Sequence, residues 1–222
     1  RHAEPAGYMS VNAGRLCVAV ADEARLINLA SGEVERTFPV SAFVPGERRH
    51  WGHAVLTAKR IFGTAQRTTA SRTKPSRGLI SADYNNNQSM VTGTNLFSAP
   101  LDGGRLGQGK WTNNGGTILN PTITLHGGRV FFVETAKPVN GSGRHSLDAL
   151  RKTGLQIVCL DAETGGRLWA RPVDNGLERS RNILFLAASG EYLIATGSHL
   201  GAGNDTEYRV HCYAAKSGRE IW

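Results

Sequence analysis

Four groups of residues have the types and spacing to do chemistry. His50-Trp51-Gly52-His53 sets two imidazoles three residues apart, in what reads as a loop before a strand. A metal site needs a third and a fourth ligand, and the remaining histidines are too scattered to supply them, so no metal ligand is assigned. Gly104-Arg105-Leu106-Gly107-Gln108-Gly109-Lys110 opens like a phosphate-cradling loop. It fails at Trp111, where a Ser or Thr must meet magnesium, and no helical pattern follows to offer its N-terminus. Cys17, Cys159 and Cys212 lie far apart in apolar or alternating runs, with no CxxC and no adjacent pair, and read as buried free thiols. The fourth group is cationic: Arg67, Arg72, Lys74 and Arg77 in one long segment, and Lys137, Arg144, Arg151 and Lys152 in another. With no Gly-x-Ser-x-Gly elbow either, no catalytic residue is assigned.

The elements that must position these residues are strands. Glycine makes up 27 of 222 residues, and the glycines fall singly or in pairs between short apolar runs. Arg15–Val20, Arg60–Gly63, Arg129–Val133 and Glu191–Ala195 are β-type runs, most of them launched by turns such as Gly127-Gly128 and Ser189-Gly190. The best helix candidate, Ser146–Lys152, is too short to organise a domain. With 40% hydrophobic and 20% charged residues the chain is neither disordered nor a coiled coil, and no window is long and apolar enough to span a membrane as a helix. The sequence neither begins with Met nor shows an export signal, and it stops on Glu220-Ile221-Trp222, so it reads as a piece of a longer, processed chain.

A repeat organises the strands. Cys159-Leu160-Asp161-Ala162-Glu163-Thr164-Gly165-Gly166-Arg167-Leu168-Trp169 aligns without a gap on Cys212-Tyr213-Ala214-Ala215-Lys216-Ser217-Gly218-Arg219-Glu220-Ile221-Trp222, a period of 53 residues. A weaker copy, Leu26–Gly32, places its aromatic, Phe38, six residues after the glycine rather than four. The weakest runs from Leu101-Asp102-Gly103-Gly104 to Trp111. The spacing resembles the tryptophan-docking signature of the pyrroloquinoline-quinone-like, quinoprotein-type β-propeller repeat. Asp161, Thr164, Gly165 and Trp169 match it, as do Ser217, Gly218 and Trp222, with Ala214 replacing the aspartate.

The resemblance implies an all-β fold: one partial β-propeller domain over residues 1–222, with four-stranded antiparallel blades at about 7–38, 51–111, 116–170 and 182–222. Four blades of this kind are part of a seven- or eight-bladed ring, so the first and last should present uncovered faces. A lone blade cannot bury both its faces, and an indole on the outer strand is suited to cover the next blade.

In an up-and-down blade the connections alternate between the two ends of the strands. Thr64–Thr94, Thr135–Gly154 and Ser198–Thr206 all fall between second and third strands and are expected on one face. Together they carry five of the eight excess positive charges. Arg67, Arg72, Lys74, Arg77, Arg144, Arg151 and Lys152 are therefore the candidate binding face, for a protein or an anionic polymer. The basic residues lack the aromatic interleaving of single-strand nucleic-acid binders. The expected function is a non-catalytic, exported propeller scaffold, with no cofactor. The resemblance also implies two alternatives: part of a dehydrogenase holding pyrroloquinoline quinone and calcium and oxidising an alcohol or sugar, or a propeller accompanying a catalytic domain elsewhere. The vicinal cysteines typical of alcohol-oxidising members are absent here.

Overall fold

The computed structural model describes residues 8–70, 89–102, 109–141, 143–173, 181–200 and 206–222. Its strands form antiparallel meanders. The first blade is β1 (Tyr8–Asn12), β2 (Arg15–Val20), β3 (Glu23–Asn28) and β4 (Val34–Pro39), in sheet order β1-β2-β3-β4. The second is β5 (Arg49–Leu56), β6 (Arg60–Arg67), β8 (Asn95–Pro100) and β9 (Trp111–Asn113). The third is β10 (Thr124–His126), β11 (Arg129–Thr135), β13 (Leu155–Asp161) and β14 (Arg167–Pro172). The fourth has three strands, β15 (Arg181–Ser189), β16 (Tyr192–Leu200) and β17 (Thr206–Ala214). A fourth strand was expected there. Its place is taken by residues 220–222, held beside β17 by the Tyr213–Glu220 bridge and by backbone bonds between Cys212 and residues Ile221 and Trp222.

The segments between second and third strands are not plain loops. β7 (Ser89–Val91) pairs with β12 (Arg144–Ser146), and the helix α1 (Leu147–Lys152) follows at once. Ser146 caps that helix by accepting the Ala149 N–H, which places it where the sequence did.

The chain divides into two compact units, Arg1–Asn114 with Asn140–His145, and Gly115–Val139 with Ser146–Trp222. In the first unit the core lies between the first two blades. β2 and β3 turn Cys17, Ala19, Ala24 and Leu26 inward at alternate positions, against Phe38, Phe43, Trp51 and Phe97. Phe43 stacks on Phe97 at 4.3 Å, and Trp51 meets Phe97 edge-on at 5.0 Å. The Trp51 indole N–H donates to the Phe38 carbonyl at 3.2 Å. Its ring lies where a side chain at residue 63 would stand, 2.2 Å from an added Cβ, so Gly63 is required there. The strand β5 runs through His50-Trp51-Gly52-His53, which is not the loop it was read as. His53 is half-buried, edge-on to the Tyr8 ring at 5.5 Å, and the loss of solvent pushes its imidazole down to about 4.

In the second unit β11, β13 and β16 bury Phe131, Phe132, Ile157, Val158, Leu193 and Ala195. The three cysteines are free and buried, and burial raises Cys17 and Cys159 to about 12. The opposite face of the first blade leaves Met9, Val11 and Val20 exposed, and the fourth blade leaves Phe185, Tyr208 and Val210 exposed.

Candidate functional site

Two arrangements are built rather than merely exposed: the turn that ends each third strand, and the end of the second blade from which its insertion leaves.

The turns are equivalent residue by residue. The third strands end at Asn28, Pro100, Asp161 and Ala214, and the next residue in each case sends its N–H to a turn carbonyl: Leu29 to Gly14, Leu101 to Lys59, Ala162 to Gly128, Ala215 to Glu191. Asn28 Oδ1 accepts from the Ala30 and Ser31 N–H groups, as Asp161 Oδ1 does from Glu163 and Thr164. The Thr164 N–H and hydroxyl hold the Asp161 carboxyl below the usual carboxylate range. Gly32, Gly165 and Gly218 close the turns at φ of +75°, +72° and +69°.

One position on the outer strand faces the residue two before each of those strand ends. Arg36 faces Leu26, Trp111 faces Ser98, Trp169 faces Cys159, and Trp222 bonds through its carbonyl to Cys212. Trp169 Nε1 donates to the Ala215 carbonyl at 3.1 Å, and its ring lies over Gly218, where an added Cβ would come within 2.6 Å. Arg36 does the same in the first blade: its Nη1 donates to the Leu101 carbonyl at 3.2 Å and to that of Pro100 at 3.4 Å. Leu101 and Ala215 are the same place in their turns. The aromatic expected to serve the first blade, Phe38, is fully buried, and the Arg36 guanidinium lies 4.9 Å over its ring. Trp222 is 63% exposed.

At the second blade, Arg49 opens β5 and faces Arg67, the last residue of β6. Segment 140–145 folds onto this end. The Thr92 hydroxyl and N–H donate to the Gly143 carbonyl, Arg144 Nη1 donates to the Ala70 carbonyl at 3.2 Å, and Gly143 passes so close that an added Cβ would stand 3.2 Å from that of Arg67. His145 is buried here, and burial together with the Arg67 charge lowers its imidazole below its ordinary value.

No protein-family model matches the sequence, and no curated protein matches it either. Solved structures do. A quinohemoprotein alcohol dehydrogenase, ADHIIG, from Pseudomonas putida HK5 matches with TM-score 0.55 at 8% identity, over 100% of this chain and 34% of that one. The blades have the fold of a β-propeller. The Myceliophteria thermophila Cps50 (Swd1) β-propeller domain matches over 96% of this chain and 60% of its own, with TM-score 0.47 and 11% identity. BamB from Moraxella catarrhalis matches over 94% and 82%, with TM-score 0.26 and 10% identity. The chain thus spans about a third of the dehydrogenase and under two thirds of the Cps50 domain.

Within this propeller, Asp161, Thr164 and Gly165 form the third blade's turn, while Ser217 and Gly218 form the fourth blade's, which receives Trp169. Arg67 is a strand residue, not a loop residue as its place in the Thr64–Thr94 segment implied. Arg144 lies in β12, and Arg151 and Lys152 in the last turn of α1. Arg72, Lys74 and Arg77 lie outside the described residues, as does most of Ser198–Thr206.

Sequence reasoning missed Arg36, Arg49 and Glu134. Arg36 stands four residues after Gly32, the spacing of Trp169 after Gly165, and that signal was there to be used. Glu134 is fully buried on β11, accepting from the Gly116 N–H at 2.8 Å and from Gln156 Nε2 at 3.1 Å, with Arg167 at 3.7 Å. Burial nevertheless raises its carboxyl above the ordinary range.

Proposed function

We propose that the chain is a non-catalytic propeller scaffold that holds an acidic protein segment or anionic polymer on the end bearing its second-to-third-strand insertions. One observation carries this reading. The insertions of the second and third blades are joined by the β7–β12 pair and by the Thr92–Gly143 and Arg144–Ala70 bonds, and they hold Arg67, Arg144 and His145 in a fixed setting. A merely solubilising surface needs no such construction. An exported location belongs to the same proposal and rests on the resemblance of the repeat.

Among the described residues no three His, Cys, Asp or Glu side chains converge as a metal site, so none is assigned to the quinone or calcium that the resemblance implies as the alternative.

The test is retention on immobilised poly-glutamate against rising salt. Replacing Arg67, Arg151 and Lys152 together by Gln should lower the eluting salt concentration, because each removes a charge from an attraction that salt screens. Circular dichroism should remain unchanged. Equal retention of both proteins would overturn the reading.

A further inference from the structure

Arg49 is the least satisfied charge in the described structure. Its side chain is 13% exposed, and Nη2 pairs with Glu47 at 2.7 Å. Nε and Nη1 are buried and have no hydrogen-bond partner among the described residues. Buried guanidinium donors are ordinarily paired, because an unmade bond costs the full desolvation of the group.

The neighbour makes the arrangement more demanding. Arg67 stands directly opposite on the adjacent strand, in a register that brings Cβ atoms to about 5 Å. Like charges so placed repel. Arg67 is half-buried and forms no ion pair among the described residues, and the only carboxylate paired to either arginine is Glu47, itself 70% exposed. Segment 140–145 adds no negative charge: it brings His145 within the field of Arg67, and Arg144 to the Ala70 carbonyl. The unpartnered Arg49 donors beside the Arg67 charge fit a ligand with at least two oxygens and a negative charge.

We propose that Arg49 and Arg67 together bind one oxyanion, a carboxylate or a phosphate, at the insertion end of the second blade. This deepens the anion-binding reading above and rests on it, but it assigns the first contact to a defined pair rather than to diffuse charge. The bound group occupies the open Arg49 donors and neutralises the field of Arg67 at His145. Arg49 is thus a binding residue outside the insertions themselves.

The test uses the whole chain and His145 as reporter. Its imidazole resonances are followed by NMR during titration with inorganic phosphate, with an aspartate-rich peptide, and with sodium chloride at matched ionic strength. Phosphate, the peptide or both should shift His145 at concentrations where chloride does not, and should raise its titration midpoint as the Arg67 charge is compensated. The arm that acts at lower concentration names the source of the oxyanion. Arg49→Gln should weaken that response at least tenfold; because the titration of the unaltered protein is decisive by itself, poor folding of the variant would not rescue the idea. A chloride response equal to the others, or none from either oxyanion, overturns the pocket. Retention on poly-glutamate is read separately, so the broader reading stands or falls on its own experiment.

Discussion

Gly218→Ala and Gly32→Ala form a matched pair that isolates the contact between the third and fourth blades. Both glycines have the same left-handed backbone, at φ +69° and +75°, so both substitutions carry the same conformational cost, about 1 kcal/mol. Their surroundings differ. A Cβ at Gly32 meets nothing within 4 Å, whereas at Gly218 it would lie 2.6 and 2.7 Å from Trp169 ring carbons and 2.8 Å from Arg171 Cγ. Those separations are impossible, so the indole must lift and its bond to Ala215 must stretch, adding roughly 1–3 kcal/mol of overpacking. Urea unfolding followed by circular dichroism should therefore show a loss of about 1 kcal/mol for Gly32→Ala and about 2–4 kcal/mol for Gly218→Ala. In a Trp169→Ala background most of the excess should vanish, leaving the backbone cost and the smaller cost of shifting the flexible Arg171 side chain, as a double-mutant cycle requires of a contact. Equal losses in the two glycine variants, or an excess undiminished by removal of the indole, would refute the reasoning.

Two further outcomes follow from titratable groups that the fold removes partly or wholly from solvent. His53, held neutral at about 4 against an ordinary 6.5, contributes stability that is whole above pH 6.5 and is lost as the pH falls toward 4, by about 3 kcal/mol in all; His53→Gln should flatten that limb of urea midpoint against pH, and an unchanged slope would contradict it. Glu134 has the opposite sign. Its raised carboxyl favours the fold at low pH and loses that contribution as the pH rises from the ordinary 4.5 through the folded-state value, so the wild type should gain stability relative to Glu134→Gln on moving from pH 8 to pH 4. A gap independent of pH would mean that Gly116, Gln156 and Arg167 compensate the charge in full.

Strands and turns were legible because their signals are local. Gly127-Gly128 and Ser189-Gly190 mark hairpins by their own backbone, and alternation along Arg15–Val20 reports a buried face without reference to anything distant. The Arg49–Arg67 pair was hidden for the opposite reason. It depends on the register between β5 and β6, which a bulge between Trp51 and His53 shifts by a residue, and on segment 140–145 folding back over residues 67–70. His50 and His53 were read as a loop pair because histidine and glycine are weak strand formers, yet burial of Trp51 against Phe38 and Phe97 carries the strand straight through them.

Arg36 shows where a residue-type signature runs short. What the blade-to-blade position requires is a flat group with an N–H aimed at the carbonyl just past the neighbouring strand's end. An indole meets that requirement at Trp169, and a guanidinium meets it at Arg36, with Phe38 beneath it as a platform. Searching for an aromatic sent the reading two residues onward to Phe38, whose ring is buried and has no donor. The spacing of four residues after the positive-φ glycine is the invariant in both blades, since it is set by the hairpin register and not by the side chain. A repeat with a degraded aromatic can therefore still be a fully engaged blade, provided that the residue at that spacing can donate.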